Sequence, residues 1–145
     1  MATVNVYLTF NGNTEEAFNF YKSVFGGDFT YLGRFKDMPA DENCPPPSED
    51  EGNRIMHVSL PISKETILMG SDSTSFSGDV TFGNNFSVSI NTNSKEEADK
   101  LFNGLSANGT IIMPMEKTFW GAYFGMFTDK FGINWMVNFD EVPAS

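Results

Sequence analysis

The sequence predicts an α+β protein built from two tandem β-α-β-β-β modules that form curved mixed sheets. The first observation is an internal repeat, because residues 6–17 and 86–98 each contain a strand-like run, a polar Asn-x-Asn turn and a Glu-Glu-Ala helix start. The second is that each predicted helix precedes three runs rich in β-branched and aromatic residues, which are typical of strands. Together they predict a single domain, residues 1–145, with an internal duplication.

The first module is predicted at residues 3–71 and opens with a strand at 6–10. Asn13 and Glu16 have the spacing of a capping box at the start of its helix, and Gly26-Gly27 predicts the end of that helix. The apolar residues of the helix recur as they do in a helix lying on a sheet: Ala17, Phe20, Tyr21, Val24 and Phe25. The three strands that follow are predicted at residues 29–36, 54–62 and 66–69.

A connector rich in Ser, Gly and Asp, residues 72–84, separates the modules. The second module, residues 85–140, opens with a strand at 86–90 and a helix capped by Ser94 with Glu97. Its apolar positions are Ala98, Leu101, Phe102 and Leu105, and Asn108-Gly109 predicts a left-handed exit from the helix. Strands are predicted at residues 110–115, 122–128 and 133–139, with Met113 and Met115 on one face.

One segment breaks the symmetry between the modules. Residues 37–53 contain six acidic residues, four prolines and Cys44. So long a structureless insertion is usually functional or mobile. Two interpretations stay open: a solvated acidic loop, or a lid over a neighbouring pocket.

Composition excludes several classes of function. The net charge of −10, from 19 acidic against 9 basic residues, argues against the clustered positive charge that nucleic-acid binding needs. A single Cys permits no internal disulfide, and one His and one Cys leave few ligands for zinc, iron or copper. The sequence contains no apolar run of the roughly 18–20 residues that span a bilayer, and no basic region typical of a signal peptide. We therefore expect a cytoplasmic protein without a nucleic-acid or membrane partner.

His57 is the candidate residue for catalysis. Alternation places it on one face of its strand with Ile55 and Ser59, and imidazole suits proton transfer near neutral pH. The alternative is that His57 has a structural role, as a strand residue whose hydrogen bonds are satisfied within the protein. Cys44 is a poor partner for it, because acidic neighbours raise the pKa of a thiol and weaken it as a nucleophile.

Methionines and aromatic residues are the candidate binding groups. Six of the eight methionines fall in predicted strands, where thioethers fill gaps in a core or line an adaptable ligand cleft. Residues 119–124 concentrate aromatic rings around Gly121, which suits a ligand pocket, a dimer contact or plain core packing. Residues 129–132, Asp-Lys-Phe-Gly, predict a structural turn before the last strand.

Tandem β-α-β-β-β modules resemble the vicinal-oxygen-chelate superfamily, which includes glyoxalase I, extradiol dioxygenases and bleomycin-resistance proteins. Within it the chain is most similar to PhnB-like proteins, whose family label often mentions 3-demethylubiquinone-9 3-methyltransferase. The segments that carry this resemblance are residues 7–13, 17–21 with 25–27, 42–45, 118–120, 124–125, 128–132 and 135–138. The resemblance covers nearly the whole chain.

The resemblance also implies where a metal would bind. Metal-dependent members place His, Gln or Glu ligands at four strand positions, which here fall at Val6, near His57, at Asn85 and at Met136. Three of the four hold no usual ligand for a divalent metal. We therefore expect no metal and no cofactor.

The expected function is that of a PhnB-like protein of unestablished activity that binds a small organic molecule in a cleft. The residues expected to line this cleft are His57, Met69, Met113, Trp120, Tyr123 and Met136. The resemblance also implies a homodimer. The alternative is a glyoxalase- or dioxygenase-like enzyme in the same cleft, either metal-dependent or assisted by His57.

Overall fold

The computed structural model describes residues 2–38, 47–75 and 77–141. The chain forms two compact units, residues 1–81 and 82–145, and each holds a four-stranded mixed sheet and a long helix. The predicted α+β class with two β-α-β-β-β modules is therefore confirmed.

The first unit contains one sheet with the strand order β1-β4-β3-β2. Strand β1 runs parallel to β4, and the other neighbours are antiparallel. Its elements in chain order are β1 (Val6–Phe10), α1 (Thr14–Phe25), β2 (Tyr31–Arg34), a 3-10 turn (Phe35–Asp37), α2 (Glu49–Gly52), β3 (Ile55–Pro61) and β4 (Ile67–Asp72). Strand β4 continues past the predicted end at Met69, because Gly70 to Asp72 pair with β1 despite a local sequence typical of a turn.

Helix α1 packs on one face of this sheet through Ala17, Phe18 and Tyr21, all of which are buried. The Phe18 ring meets the Phe10 ring edge to face, with centroids 6.4 Å apart. It also lies directly over Gly70, where a Cβ atom would be 2.6 Å from the ring. Gly70 thus allows the helix to approach the sheet closely.

The start of α1 differs from the prediction. Asn13 is the N-cap residue, but its side chain makes no capping hydrogen bond, so the expected capping box with Glu16 is wrong. Instead Asp72 Oδ1 accepts hydrogen bonds from the amides of Gly12 and Thr14 and from the Thr14 hydroxyl. A carboxylate from a distant strand thus binds the first amide of the helix, that of Thr14, whereas a local cap side chain would bind the amide of the second or third helical residue.

The second unit repeats this topology with the strand order β5-β8-β7-β6. Its elements are β5 (Val88–Asn91), α3 (Lys95–Ser106), β6 (Thr110–Lys117), β7 (Ala122–Thr128) and β8 (Asn134–Asp140). The Phe102 ring of α3 packs edge to face on Phe127 of β7, with centroids 5.0 Å apart. Trp135 and Val137 of β8 and Leu105 of α3 complete the buried layer between the sheet and the helix.

Both ends of α3 agree with the sequence prediction. Ser94 Oγ accepts from the Glu97 amide at 3.0 Å, which confirms the cap. The Glu97 carboxylate reaches the amide of Asn93 rather than that of Ser94, so the reciprocal bond lies one residue earlier than in a standard capping box. Asn108 has a φ of 60°, which confirms the left-handed exit.

The last turn is structural, as predicted. Asp129 is buried, and its Oδ1 accepts from the amides of Phe131 and Ile133. Its Oδ2 accepts from the indole nitrogen of Trp135 at 2.8 Å. The carboxylate therefore holds both the turn and the largest buried side chain of the unit.

The insertion is only partly within the described residues. Residues 49–52 form α2, and Ser48 Oγ accepts from the Glu51 amide at its start, so this part of the insertion is helical rather than structureless. Cys44, and with it most of the candidate lid, lies outside the described residues. The described helices are too short to cross a membrane, the longest having 12 residues.

Candidate functional site

Each sheet has one face covered by its own long helix and one face opposite that helix. We call the latter the first and second helix-free faces. The first carries the side chains of Tyr7, Thr9, Tyr31, His57, Ser59, Met69 and Ser71. The second carries those of Ser89, Asn91, Met113, Glu116, Phe124, Met126, Met136 and Asn138.

A row of four residues crosses the first helix-free face. Strand register places Tyr7 beside Met69, Met69 beside Ser59, and Ser59 beside Tyr31. Tyr7 and Tyr31, at the two ends of the row, are each about half exposed. Two phenol rings therefore flank a thioether and a hydroxyl.

His57 lies between the two tyrosines of that row. Its ring centroid is 5.7 Å from that of Tyr7 and 5.8 Å from that of Tyr31. Nδ1 is 3.4 Å from the Tyr7 hydroxyl, and Nε2 is 2.9 Å from Ser59 Oγ. Both ring nitrogens thus have a hydroxyl neighbour, which can donate or accept a hydrogen bond.

The prediction that His57 and Ile55 lie on the same face of their strand is wrong. Ile55 is 1% exposed, whereas His57 is only partly buried. The register of β2 with β3 shifts between Gly33 and Arg34, so β3 carries one additional residue opposite β2 and strict alternation fails there. Ser59, on the other side of His57, does share its face.

Gly33 determines where the Tyr31 ring lies. A Cβ atom at Gly33 would be 2.6 Å from the Tyr31 hydroxyl and 3.0 Å from its ring carbons. The ring therefore folds over the glycine, toward His57. A larger residue at this position would displace the ring, which is the flexible partner in the contact.

Three methionines form a row across the second helix-free face. Met136 of β8 pairs with Met126 of β7, and Met126 pairs with Met113 of β6. Met113 is 43% exposed, and the other two are partly exposed. Cross-strand neighbours have Cβ atoms about 4.5–5.5 Å apart, so the three side chains form a contiguous apolar strip.

Met115 does not belong to this strip, so its expected place on one face with Met113 is wrong. The pairing of β6 with β7 shifts between Met113 and Glu116. As a result the Met115 sulfur lies 2.7 Å from where a Cβ of Gly125 would be, beside Phe102 of α3. Met115 is thus on the helix-covered side.

Trp120 lies at the edge of the second helix-free face, where the turn joins β6 to β7, and it reaches that face through Phe124. It is 61% exposed in the turn between β6 and β7, where Gly121 has a φ of 91°. Its ring centroid is 6.4 Å from that of Phe124, which lies on the same face as Met126. Phe119 packs edge to face on Trp120 and is itself almost fully exposed.

Tyr123 lies on the opposite side of β7. Its hydroxyl donates to Asp99 of α3 at 2.6 Å, and Lys95 Nζ lies 4.6 Å from its ring centroid. The hydrogen bond to Asp99, with a smaller effect of desolvation, raises the pKa of Tyr123 to about 12. Its side chain thus links helix to sheet and is not on the second helix-free face.

The six residues expected to line a cleft therefore fall into three places. His57 and Met69 share the first helix-free face, Met113, Met136 and Trp120 share the second or its border, and Tyr123 is on a helix-covered face. The neighbours that were not expected are Tyr7, Tyr31, Ser59, Phe124 and Met126. Period-2 alternation along each strand would have grouped several of them, but only the pairing register brings residues of different strands together.

The residues at the implied metal positions do not fit a divalent metal. Alternation with Leu8 and Phe10 puts Val6 on the side of β1 that faces α1, and Asn85 lies before β5 begins. Met136 offers only a soft thioether, which leaves His57 as the one usual ligand among the four positions. Within the described parts of the chain, His, Cys, Asp and Glu side chains form no group of three or more that could hold an ion.

Comparison with known proteins gives one family and several relatives. The family profile described as 3-demethylubiquinone-9 3-methyltransferase matches residues 2–138. Protein YjdN of Escherichia coli strain K12 is 34% identical over 141 residues, which cover 91% of each chain.

Solved structures agree with this match. Protein PA1353 of Pseudomonas aeruginosa is 38% identical and superposes with a TM-score of 0.84 over 97% of this chain and 98% of its own. A PhnB protein of Bacillus cereus is 27% identical, with a TM-score of 0.73 over 95% of this chain and 99% of its own. A glyoxylase/bleomycin resistance protein/dioxygenase domain of Frankia shares the fold alone, at 12% identity and a TM-score of 0.69 over 99% and 95% of the two chains.

Proposed function

The chain belongs to the family described as 3-demethylubiquinone-9 3-methyltransferase, a PhnB-like branch of the glyoxalase/bleomycin-resistance superfamily, and on that premise we propose that it binds a small organic molecule. The binding surface we propose is the second helix-free face. The ligand is flat and mainly apolar.

One observation carries this proposal: Met113, Met126 and Met136 form one unbroken row across the second helix-free face, and the exposed Trp120 borders the same face beside Phe124. Flexible, polarizable thioethers adapt to ligands of different shape, and their sulfur atoms pack well against aromatic rings. Trp120 supplies a large rigid ring on which a flat molecule can stack. Apolar side chains left partly exposed in one contiguous strip are typical of a binding surface.

The methyl transfer named in the family description is not part of the proposal. Cofactors that carry phosphate or carboxylate commonly bind at the free amides of a helix N-terminus. At the start of α1 the amides of Gly12 and Thr14 already donate to Asp72, and at the start of α3 the Glu97 amide donates to Ser94. These amides are therefore not available to such a group.

A fluorescence titration with N-phenyl-1-naphthylamine tests the proposal, because this neutral, flat probe emits strongly only in apolar surroundings. We expect saturable binding to the wild type and weaker binding to Trp120→Ala. The matched control is Phe86→Ala, since Phe86 is 62% exposed and Trp120 is 61% exposed. Equal binding by Trp120→Ala and the wild type would remove Trp120 from the proposed surface, and no saturable binding to any of the proteins would overturn the proposal.

The proposal includes a homodimer, which the family resemblance implies, and a cytoplasmic location, which the single Cys favours. Ile111, Ile112 and Met113 are about half exposed on β6, an edge strand of its sheet. Long apolar edge strands commonly pair with another chain. Light scattering on the purified protein distinguishes a dimer from a monomer, and replacing Ile112 with Lys is expected to favour the monomer.

A further inference from the structure

The cluster around His57 on the first helix-free face is not used by the proposed function, which concerns the other unit. We propose that this cluster binds a small uncharged aromatic molecule that carries a hydroxyl group, that is, a phenol. The argument rests on the hydrogen-bonding capacity of the cluster, on its aromatic walls and on its charge.

Tyr7, His57 and Ser59 form a hydroxyl–imidazole–hydroxyl chain. A neutral imidazole has one N–H and one lone pair, so two hydrogen bonds join the three groups and one hydroxyl hydrogen is left over. If Tyr7 donates to Nδ1, then Nε2–H donates to Ser59 and the Ser59 hydrogen is free. If Ser59 donates to Nε2, then Nδ1–H donates to Tyr7 and the Tyr7 hydrogen is free.

In both arrangements one end of the chain offers a hydrogen and the other end offers a lone pair. A ligand hydroxyl both donates and accepts, so it can bind at either end, whereas an ether or a carboxylate can only accept. The chain therefore matches a hydroxyl group better than a group that only accepts.

Aromatic and thioether side chains surround this polar chain. Tyr31 and Tyr7 each lie within 6 Å of the His57 ring, centroid to centroid, and Met69 pairs with both Tyr7 and Ser59. Offset and edge contacts between rings, together with sulfur–ring contacts, are favourable for a flat aromatic ligand. The hydroxyl of such a ligand then decides where on the face it binds.

Charge selects against an anion at this site. The titratable groups on the described first helix-free face are Tyr7, Tyr31 and His57, with no Asp, Glu, Lys or Arg among its strand positions. The nearest charged strand residues turn away: Arg34 donates to Glu15 of α1, and Asp72 accepts from the start of α1. The net charge of −10 makes the approach of an anion unfavourable as well.

Proton NMR of the imidazole ring tests this site directly. His57 is the only histidine, so its ring C–H signals are identified without assignment work. The probes are phenol, its methyl ether anisole, and benzoate. We expect phenol to shift the His57 signals saturably, anisole to bind more weakly, and benzoate to bind weakest.

Two conservative variants separate this site from non-specific association. Ser59→Ala and Tyr7→Phe each remove one hydroxyl from a partly exposed position, and each is expected to weaken phenol binding about three- to tenfold, the usual effect of one hydrogen bond. Ser23→Ala, which removes an exposed hydroxyl of α1, is the control and is expected to bind phenol as the wild type does.

A further variant tests the aromatic wall without touching the polar chain. Gly33→Ala displaces the Tyr31 ring, because the new methyl group would occupy its present position. We expect weaker phenol binding and a changed His57 signal in the free protein. Three results would overturn the inference: no saturable shift with phenol, wild-type affinity in both hydroxyl variants, or benzoate binding as tightly as phenol. None of them affects the probe titration on the second helix-free face.

Discussion

The carboxylate of Asp72 accepts hydrogen bonds from the amide and the hydroxyl of Thr14, at 2.9 and 2.6 Å, although 58 residues separate the two in sequence. Its second oxygen accepts from the Ile55 amide at 2.9 Å. A single buried side chain thus joins the last strand of the first unit to the start of α1 and to β3. This relationship predicts that the stability of the first unit depends strongly on that carboxylate.

Replacing Asp72 with Ala is therefore expected to lower the free energy of unfolding by about 3–5 kcal/mol, because it leaves several buried donors without an acceptor. Asp72→Asn is expected to cost less, about 2 kcal/mol, since one oxygen remains. Urea unfolding followed by circular dichroism measures both. Asp28→Asn is the control, because that carboxylate is 92% exposed in a surface ion pair, and a loss as large in this variant would contradict the account.

Gly125 is expected to tolerate no side chain. A Cβ atom there would lie 2.7 Å from the Phe102 ring and 3.1 Å from the Met113 carbonyl oxygen. Overpacking of this kind costs about 1–3 kcal/mol, so Gly125→Ala is expected to lower the unfolding free energy by that amount. Gly83→Ala is the matched control, since its Cβ would meet only the Asn85 side chain at 3.6 Å. Equal stabilities of the two variants would show that α3 can shift away from the sheet at little cost.

The raised pKa of Tyr123 predicts that the stability of the protein depends on pH in the alkaline range. This pKa is raised from 10.0 to about 12, mainly by the hydrogen bond to Asp99, so the folded protein holds this proton more tightly than the unfolded chain. The stabilising contribution is present below pH 10 and is lost as the pH rises toward 12. The stability difference between the wild type and Tyr123→Phe is expected to shrink over that interval. A difference that stays constant over that interval would contradict the assignment.

The residues at the implied metal positions predict that divalent metals do not bind in stoichiometric amounts. Calorimetric titration of the purified protein with Zn²⁺, Ni²⁺ and Mn²⁺ measures this, with His57→Ala as the control. We expect no saturable heat from either protein. A single equivalent bound by the wild type and lost in His57→Ala would show that His57 belongs to a metal centre after all.

The sequence predicted the type and order of the long elements well, because their signals are local. The Ser94 cap and the Asn108 exit depend on residues a few positions apart, and both are present. The predicted stripe of α1 is present only in part, because Ala17 and Tyr21 are buried but the fully buried Phe18 is not among its predicted residues. The wrong predictions concern features that depend on a residue distant in sequence. Asp72 falls in the predicted connector but holds the start of α1 through Thr14, and the Asn13 side chain makes no capping hydrogen bond.

The sequence predicted which residue types make up the candidate site but not how they are arranged. Composition pointed to methionine, tryptophan and the lone histidine, and alternation suggested their faces. Alternation predicted the wrong face for Ile55 and Met115. The reason is that β3 has an extra residue opposite β2, and β6 has one opposite β7, and strict alternation does not account for such bulges. Met126 was not expected among the lining residues, since only the pairing of three strands reveals it as the centre of the methionine strip.

The most direct test of the proposed function is to make the centre of the methionine strip polar. In a titration with N-phenyl-1-naphthylamine, Met126→Gln keeps the length of the side chain and is expected to weaken binding about tenfold, or ~1.4 kcal/mol. Met56→Gln is the matched control, because Met56 is also a partly buried strand methionine and lies outside the strip. The account predicts wild-type affinity for Met56→Gln and the loss for Met126→Gln alone. Equal affinity of the two variants would contradict it.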